Sequence, residues 1–116
     1  MASLSTHVLD TVHGTPAQGV IIDLYALQDG GRQHLKTTVT NANGRTAEPL
    51  GGDELRPGTY ELIFHAGAYL RSGGIKLTEP PFLDQIVVRF GIGDPERHYH
   101  VPLLLSTYGY STYLGS

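Results

Sequence analysis

Six histidines in 116 residues, His7, His13, His34, His65, His98 and His100, are the first candidates for chemistry. An imidazole has an ordinary pKa near 6.5, so it can take or give a proton close to neutral pH, or bind a metal. His98 and His100 are two apart, which on a strand turns both to one face. Spacing alone does not choose between them, and a solvated pair at a strand start has the same spacing. Metal binding is the weaker reading, because there are no cysteines and no evident third ligand. Arg45 follows an Asn43-Gly44 turn. Its guanidinium can grip a planar anion with two parallel hydrogen bonds, which lysine cannot. Other chemistries lack their signatures. Gly91-Ile92-Gly93 has no third glycine and no following helix, so it is not a nucleotide loop. No Gly-x-Ser-x-Gly elbow exists. Asp53-Glu54 falls in a glycine-rich turn, where solvated carboxylates are common.

These side chains must be carried by many short strands. The chain has 15 glycines and 7 prolines, roughly one residue in five, against about one in eight in average usage. Without a low-complexity run, that excess means turns. Strands are expected over residues 4–11, 20–27, 34–40, 59–65 and 85–92. In the second of these, Val20, Ile22, Leu24 and Ala26 share the apolar face that should point inward. Residues 66–72 are the one short helical candidate, stopped by Gly73-Gly74. The last nineteen residues read as two adjacent strands and a tight turn at residues 106–109. A tail this apolar and aromatic should dock, and would carry the α-carboxylate of Ser116 with it. Seven or eight strands at regular spacing favour an antiparallel β-sandwich. There is no internal repeat and no linker, so residues 1–116 read as a single domain.

Composition narrows the partners. The net charge of −3, with both signs scattered, gives no electrostatic footprint for nucleic acid. No apolar run reaches the roughly 18 residues of a membrane span. No secretory signal is visible, the C-terminal Leu-Gly-Ser is not a peroxisomal address, and cysteine is absent, so a cytoplasmic location is expected.

Three segments taken in order carry a resemblance. They are Ser-Thr-His-Val-Leu-Asp-Thr at 5–11, Thr-Asn-Ala-Asn-Gly-Arg-Thr at 40–46, and Tyr-His-Val-Pro-Leu-Leu-Leu-Ser at 99–106 with Tyr-Gly-Tyr-Ser-Thr-Tyr at 108–113. Together with Gly-Thr-Tyr-Glu-Leu at 58–62 and Pro-Phe-Leu-Asp at 81–84, they make the chain resemble the 5-hydroxyisourate hydrolase, or transthyretin-related, family over essentially its whole length. The resemblance implies an all-β, transthyretin-like antiparallel β-sandwich of two four-stranded sheets with one short helix. It also implies a homotetramer with active sites at the dimer–dimer interface. The small-molecule substrate would be 5-hydroxyisourate, opened to 2-oxo-4-hydroxy-4-carboxy-5-ureidoimidazoline in urate degradation, with no metal and no organic cofactor.

Residue by residue, the resemblance places His7, Arg45, His100 and the terminal Ser116 in the catalytic set, and His7, Arg45 and Tyr113 against the substrate. It selects His100 over His98, which is left without a role. His7 and His100 would divide the work of activating water, and Arg45 would hold the urate-like ring and the charge growing on its carbonyl oxygen. Two positions depart from the family pattern. Thr107 stands where proline is usual, which costs about 0.4–1 kcal/mol through unfolded-state entropy. Leu114 stands where the family has arginine, deleting a cation two residues from the chain end. If that arginine anchors the tail or holds substrate charge, the chain is a weakened hydrolase; if it points to solvent, little changes. The competing reading is a transthyretin-like carrier of small molecules, whose channel would be lined with apolar groups rather than His7, Arg45, His100 and Tyr113. A sandwich used only for assembly is the blandest reading.

Overall fold

The structure, a computed structural model, describes residues 2–52 and 54–116; Met1 and Asp53 lie outside them. Ten strands and one helix follow in order: β1 (Ser3–Ser5), β2 (Val8–Asp10), β3 (Thr15–Pro16), β4 (Ile21–Gln28), β5 (Gly31–Val39), β6 (Gly58–His65), α1 (Ala66–Ser72), β7 (Gln85–Ile92), β8 (His98–His100), β9 (Leu103–Leu105) and β10 (Tyr110–Thr112). They form two four-stranded sheets, ordered β10-β9-β2-β3 and β5-β4-β6-β7, and a separate pair, β1-β8. This is the transthyretin-like sandwich that the sequence led us to expect.

The two sheets meet through their apolar faces. Ile22, Leu24, Leu62 and Phe64 from one sheet, and Val8, Leu103 and Leu105 from the other, belong to one cluster and are almost fully buried. The alternation expected along residues 20–27 holds: Val20, Ile22 and Leu24 are buried, and Ala26 packs against the cluster. In β6 the alternation is not clean. Tyr60, Leu62 and Phe64 face inward, but Glu61 and Ile63 on the opposite face are also covered. Glu61 is held by Arg32 at 3.3 Å and by Arg89 at 2.9 Å, which compensates its burial. The helix spans the expected residues. No helix among the described residues is long and apolar enough to cross a membrane.

The strand expected over residues 4–11 is divided. β1 pairs in parallel with β8, placing Ser5 opposite His100, and β2 pairs in parallel with β9, placing Val8 opposite Leu103. The register is the same on both sides, so the two pairs are one ladder interrupted at residues 6–7 and 101–102. At the interruption the Thr6 hydroxyl donates to the Val101 carbonyl at 2.6 Å. A side chain thus uses an acceptor that a regular parallel ladder would offer to a backbone N–H. His7 stands in this gap.

Candidate active site

His7 leaves the gap half-buried, and its Nε2–H donates to the Asn43 carbonyl at 2.9 Å. A carbonyl only accepts, so this bond puts the proton on Nε2 and leaves a lone pair on Nδ1. The Asn43 carbonyl is presented by a turn that its own first residue holds. The Asn41 side-chain oxygen accepts from the N–H groups of Asn43 at 2.9 Å and Arg45 at 3.2 Å, and the Arg45 carbonyl accepts from the Asn41 N–H at 2.7 Å. Gly44 has φ +75° and lies so close to β2 that a Cβ there would sit 2.4 Å from the Val8 carbonyl oxygen. Only glycine meets both demands. The Gly44 carbonyl in turn accepts from the Val8 N–H at 2.8 Å. The turn is therefore bound to the residue after His7, and Arg45 follows at its exposed end.

β8 supplies the second side of the site. Tyr99 points into the core while His98 and His100 share the other face. Ser5, opposite His100, places its hydroxyl between the two rings, 2.9 Å from His98 Nε2 and 2.8 Å from His100 Nδ1. The Ser3 hydroxyl lies 2.5 Å from His98 Nδ1. The docking expected of the tail is also present. The Gly115 N–H donates to the His100 carbonyl at 2.7 Å. A Cβ at Gly115 would stand 2.5 Å from His100 Cδ2, so the imidazole lies directly on the glycine. Ser116 follows by one residue.

The field at His100 is positive. Burial comes first in lowering its pKa below the ordinary imidazole value, and the charges of Arg45, His98 and His7 add to the effect. No carboxylate is paired with Arg45 among the described residues, whereas Arg32, Arg71 and Arg89 each have one. A hollow of about 280 Å³ is lined by Ser5, Thr6, Arg45, Glu48 and His98, among others. Of the residues expected together, His7 and Arg45 sit within electrostatic reach of His100, and Ser116 follows Gly115, against which the His100 ring lies. Tyr113 is elsewhere in this chain. It is over half exposed and, with Leu114, lines a separate hollow of about 220 Å³ among Val88, Phe90, Tyr99 and Val101.

His98, expected to be without a role, is bonded to two serines and adds to the field on His100. Ser3 and Ser5 were missed altogether. Their signal was present as a second polar alternation, Ser3-x-Ser5, matching His98-x-His100. It becomes legible only when the pairing of residues 95 apart is known.

A family model described as the HIUase/Transthyretin family matches residues 4–115. The chain belongs to that family. It is 52% identical to the 5-hydroxyisourate hydrolase of Pseudomonas aeruginosa, over 100% of this chain and 93% of that one. The solved 5-hydroxyisourate hydrolase of Klebsiella pneumoniae superposes with a TM-score of 0.81 at 36% identity, covering 100% of this chain and 94% of that one. The sea bream transthyretin solved with thyroxine gives a TM-score of 0.87 at 33% identity, covering 97% and 94%. HIUase/Transthyretin membership accounts for the sandwich but not for the choice between hydrolase and carrier. That choice rests on the side chains at the β1/β8 end and on the names of the more similar relatives.

Proposed function

We propose that this chain hydrolyses 5-hydroxyisourate, opening the ring of an oxidised purine in urate degradation. The observation that carries the reading is the meeting of His7, Arg45 and His100, brought from three distant segments to one end of the sandwich and lacking a paired carboxylate there. A carrier of apolar ligands has no use for two imidazoles and a guanidinium within electrostatic reach of one another. The identity to relatives named 5-hydroxyisourate hydrolase supports the same choice.

The chemistry follows from the residues. A neutral imidazole takes a proton from water, whose oxygen bonds to the ring carbonyl carbon. The Arg45 guanidinium stabilises the charge that grows on the carbonyl oxygen. The C–N bond then breaks, a proton passes to the departing nitrogen, and the new carboxylic acid ionises. Burial, and then the positive surroundings, favour the neutral form of His100 that can act as base. His7, with its Nδ1 lone pair free, orients the water or the ring. Ser116 and Tyr113 position the heterocycle through the terminal carboxylate and the phenol. No metal or organic cofactor takes part in this scheme.

Residues 1–116 act as one domain in a homotetramer, with sites at the dimer–dimer interface. The sheet orders leave β7 and β10 as edge strands, which a second copy can extend. Tyr113 lines a separate hollow of its own chain, so in the tetramer it would reach substrate across the interface. A cytoplasmic location fits the cysteine-free composition. The test is the decay of freshly generated 5-hydroxyisourate with His7→Ala, Arg45→Ala and His100→Ala. Each is expected to lower the rate by roughly 10²–10⁴ where acid–base or charge stabilisation is removed. Wild-type rates in all three would end the assignment, and tight binding of aromatic hormone analogues without turnover would favour the carrier.

A further inference from the structure

Base catalysis at His100 has an unusual setting. In most histidine bases a carboxylate behind the ring stabilises the imidazolium. Behind His100 there is instead a hydroxyl, Ser5, then a second imidazole, His98, then another hydroxyl, Ser3. The charged or titratable groups that act on His100 are Arg45 from the turn, His7 from the gap and His98 from its own strand, all cationic or neutral. A full positive charge on this ring is disfavoured by every one of them.

We propose that Ser5 and His98 are positioning residues that fix the tautomer of His100 and relay its proton to solvent, so that His100 works as a base without becoming a lasting imidazolium. The inference rests on the reading of His100 as a base in hydrolysis. The polarity of the chain is constrained by proton counting. Ser5 has one hydroxyl proton and stands between two ring nitrogens, so it donates to one and accepts from the other. If it accepts from His100 Nδ1–H and donates to His98 Nε2, then His98 Nδ1–H donates to Ser3. That direction leaves His100 Nε2 with the lone pair a base requires. The opposite direction would put a proton on Nε2 and remove the base.

The protons balance over a turnover. When His100 Nε2 takes a proton from the attacking water, Nδ1–H passes to Ser5, the Ser5 proton passes to His98 Nε2, and His98 Nδ1–H leaves through Ser3 to solvent. His100 is then neutral again, carrying its proton on Nε2. When the C–N bond breaks, Nε2–H goes to the departing nitrogen and the chain runs backwards, returning a solvent proton to Nδ1. The net proton of the reaction comes from ionisation of the new carboxylic acid. The location suits this path: the bond to His100 is partly buried, and the bonds to His98 are exposed.

Two measurements test the relay. Nitrogen-15 spectra of the full-length protein above the imidazole titration range should show Nδ1–H and bare Nε2 on His100. A resting Nε2–H tautomer overturns the proposal. In the decay of 5-hydroxyisourate, Ser5→Ala and His98→Gln should lower kcat roughly tenfold to a hundredfold, less than the full contribution of a base. KM should change less, and Ser5→Thr, which keeps the hydroxyl, should recover most of the rate. The curved dependence of rate on deuterium fraction expected of several moving protons should become linear in Ser5→Ala. If His100→Ala is inactive while Ser5→Ala and His98→Gln keep wild-type kcat and isotope dependence, the relay is wrong and the base stands. If His100→Ala keeps the wild-type rate, the base and the relay fall together. The tautomer measurement does not depend on turnover, and the exposed His98→Gln variant serves if Ser5→Ala fails to fold.

Discussion

The molecule holds two kinds of histidine, and their neighbours separate them. His13, His34 and His65 lie against carboxylates. Asp10 is buried and accepts from His13 at 2.7 Å, from Tyr69 at 2.6 Å and from two backbone N–H groups. Asp23 accepts from His65 at 2.8 Å and from Thr37, with His34 at 3.5 Å. Burial pushes both carboxyls up, but hydrogen bonds from Tyr69 and His13 to Asp10, and from His65 and Thr37 to Asp23, outweigh it and hold both below the usual carboxylate value. The same contact raises Tyr69 to about 12, after burial. His7, His98 and His100 instead meet a carbonyl, hydroxyls and a guanidinium. Carboxylates tie His13, His34 and His65 into the fold, whereas burial and then its cationic neighbours favour the neutral form of His100. The residue type is common to both regions; the partner sets its use.

The comparison predicts a double dissociation. Gly115→Ala drives a methyl group into the His100 ring without touching the core, so kcat should fall by up to about 10²-fold while Tm changes little. An unchanged kcat would mean that the ring's position does not matter. Asp10→Asn should do the reverse. It leaves buried partners imperfectly satisfied and should cost about 1–3 kcal/mol in denaturant unfolding, with kcat of the folded protein unaltered. Because the folded pKa values of Asp10 and Asp23 are depressed, their contribution is complete above the unfolded value of 3.8 and disappears as pH falls through the lowered values. Unfolding midpoints measured from pH 7 down to pH 2 should show that loss.

A smaller effect sharpens the electrostatic half of the contrast. Followed by NMR, His100 should titrate below 6.5, and Arg45→Gln should move it upward because a neighbouring positive charge is removed. A downward move would contradict the field described at this site. The least change is expected from Leu114→Arg. Leu114 lines the hollow beside Val88 and Phe90, which His100 does not line, so restoring the arginine should leave kcat and stability within about 0.5 kcal/mol of wild type. A large gain in rate would show instead that the chain with Leu114 is a weakened hydrolase.

Local pattern was enough for much of this protein. Period-two apolar alternation announced the strand over residues 20–27, Gly73-Gly74 announced the end of the helix, and the three motifs in order announced the family. These features depend on neighbours a few positions apart, so they are written in the sequence itself. The division of the first strand at His7 was not readable, because it appears only when the register sets His7 opposite Pro102, which has no N–H for the ladder, and the Thr6 hydroxyl takes the Val101 carbonyl beside it. Nor were the roles of Ser3, Ser5 and His98. Parallel pairing joins strands through backbone groups that every residue carries, so the register of β1 on β8 leaves no mark in composition or spacing. Which imidazole meets an acid and which meets a hydroxyl was therefore decided only when the chain closed on itself.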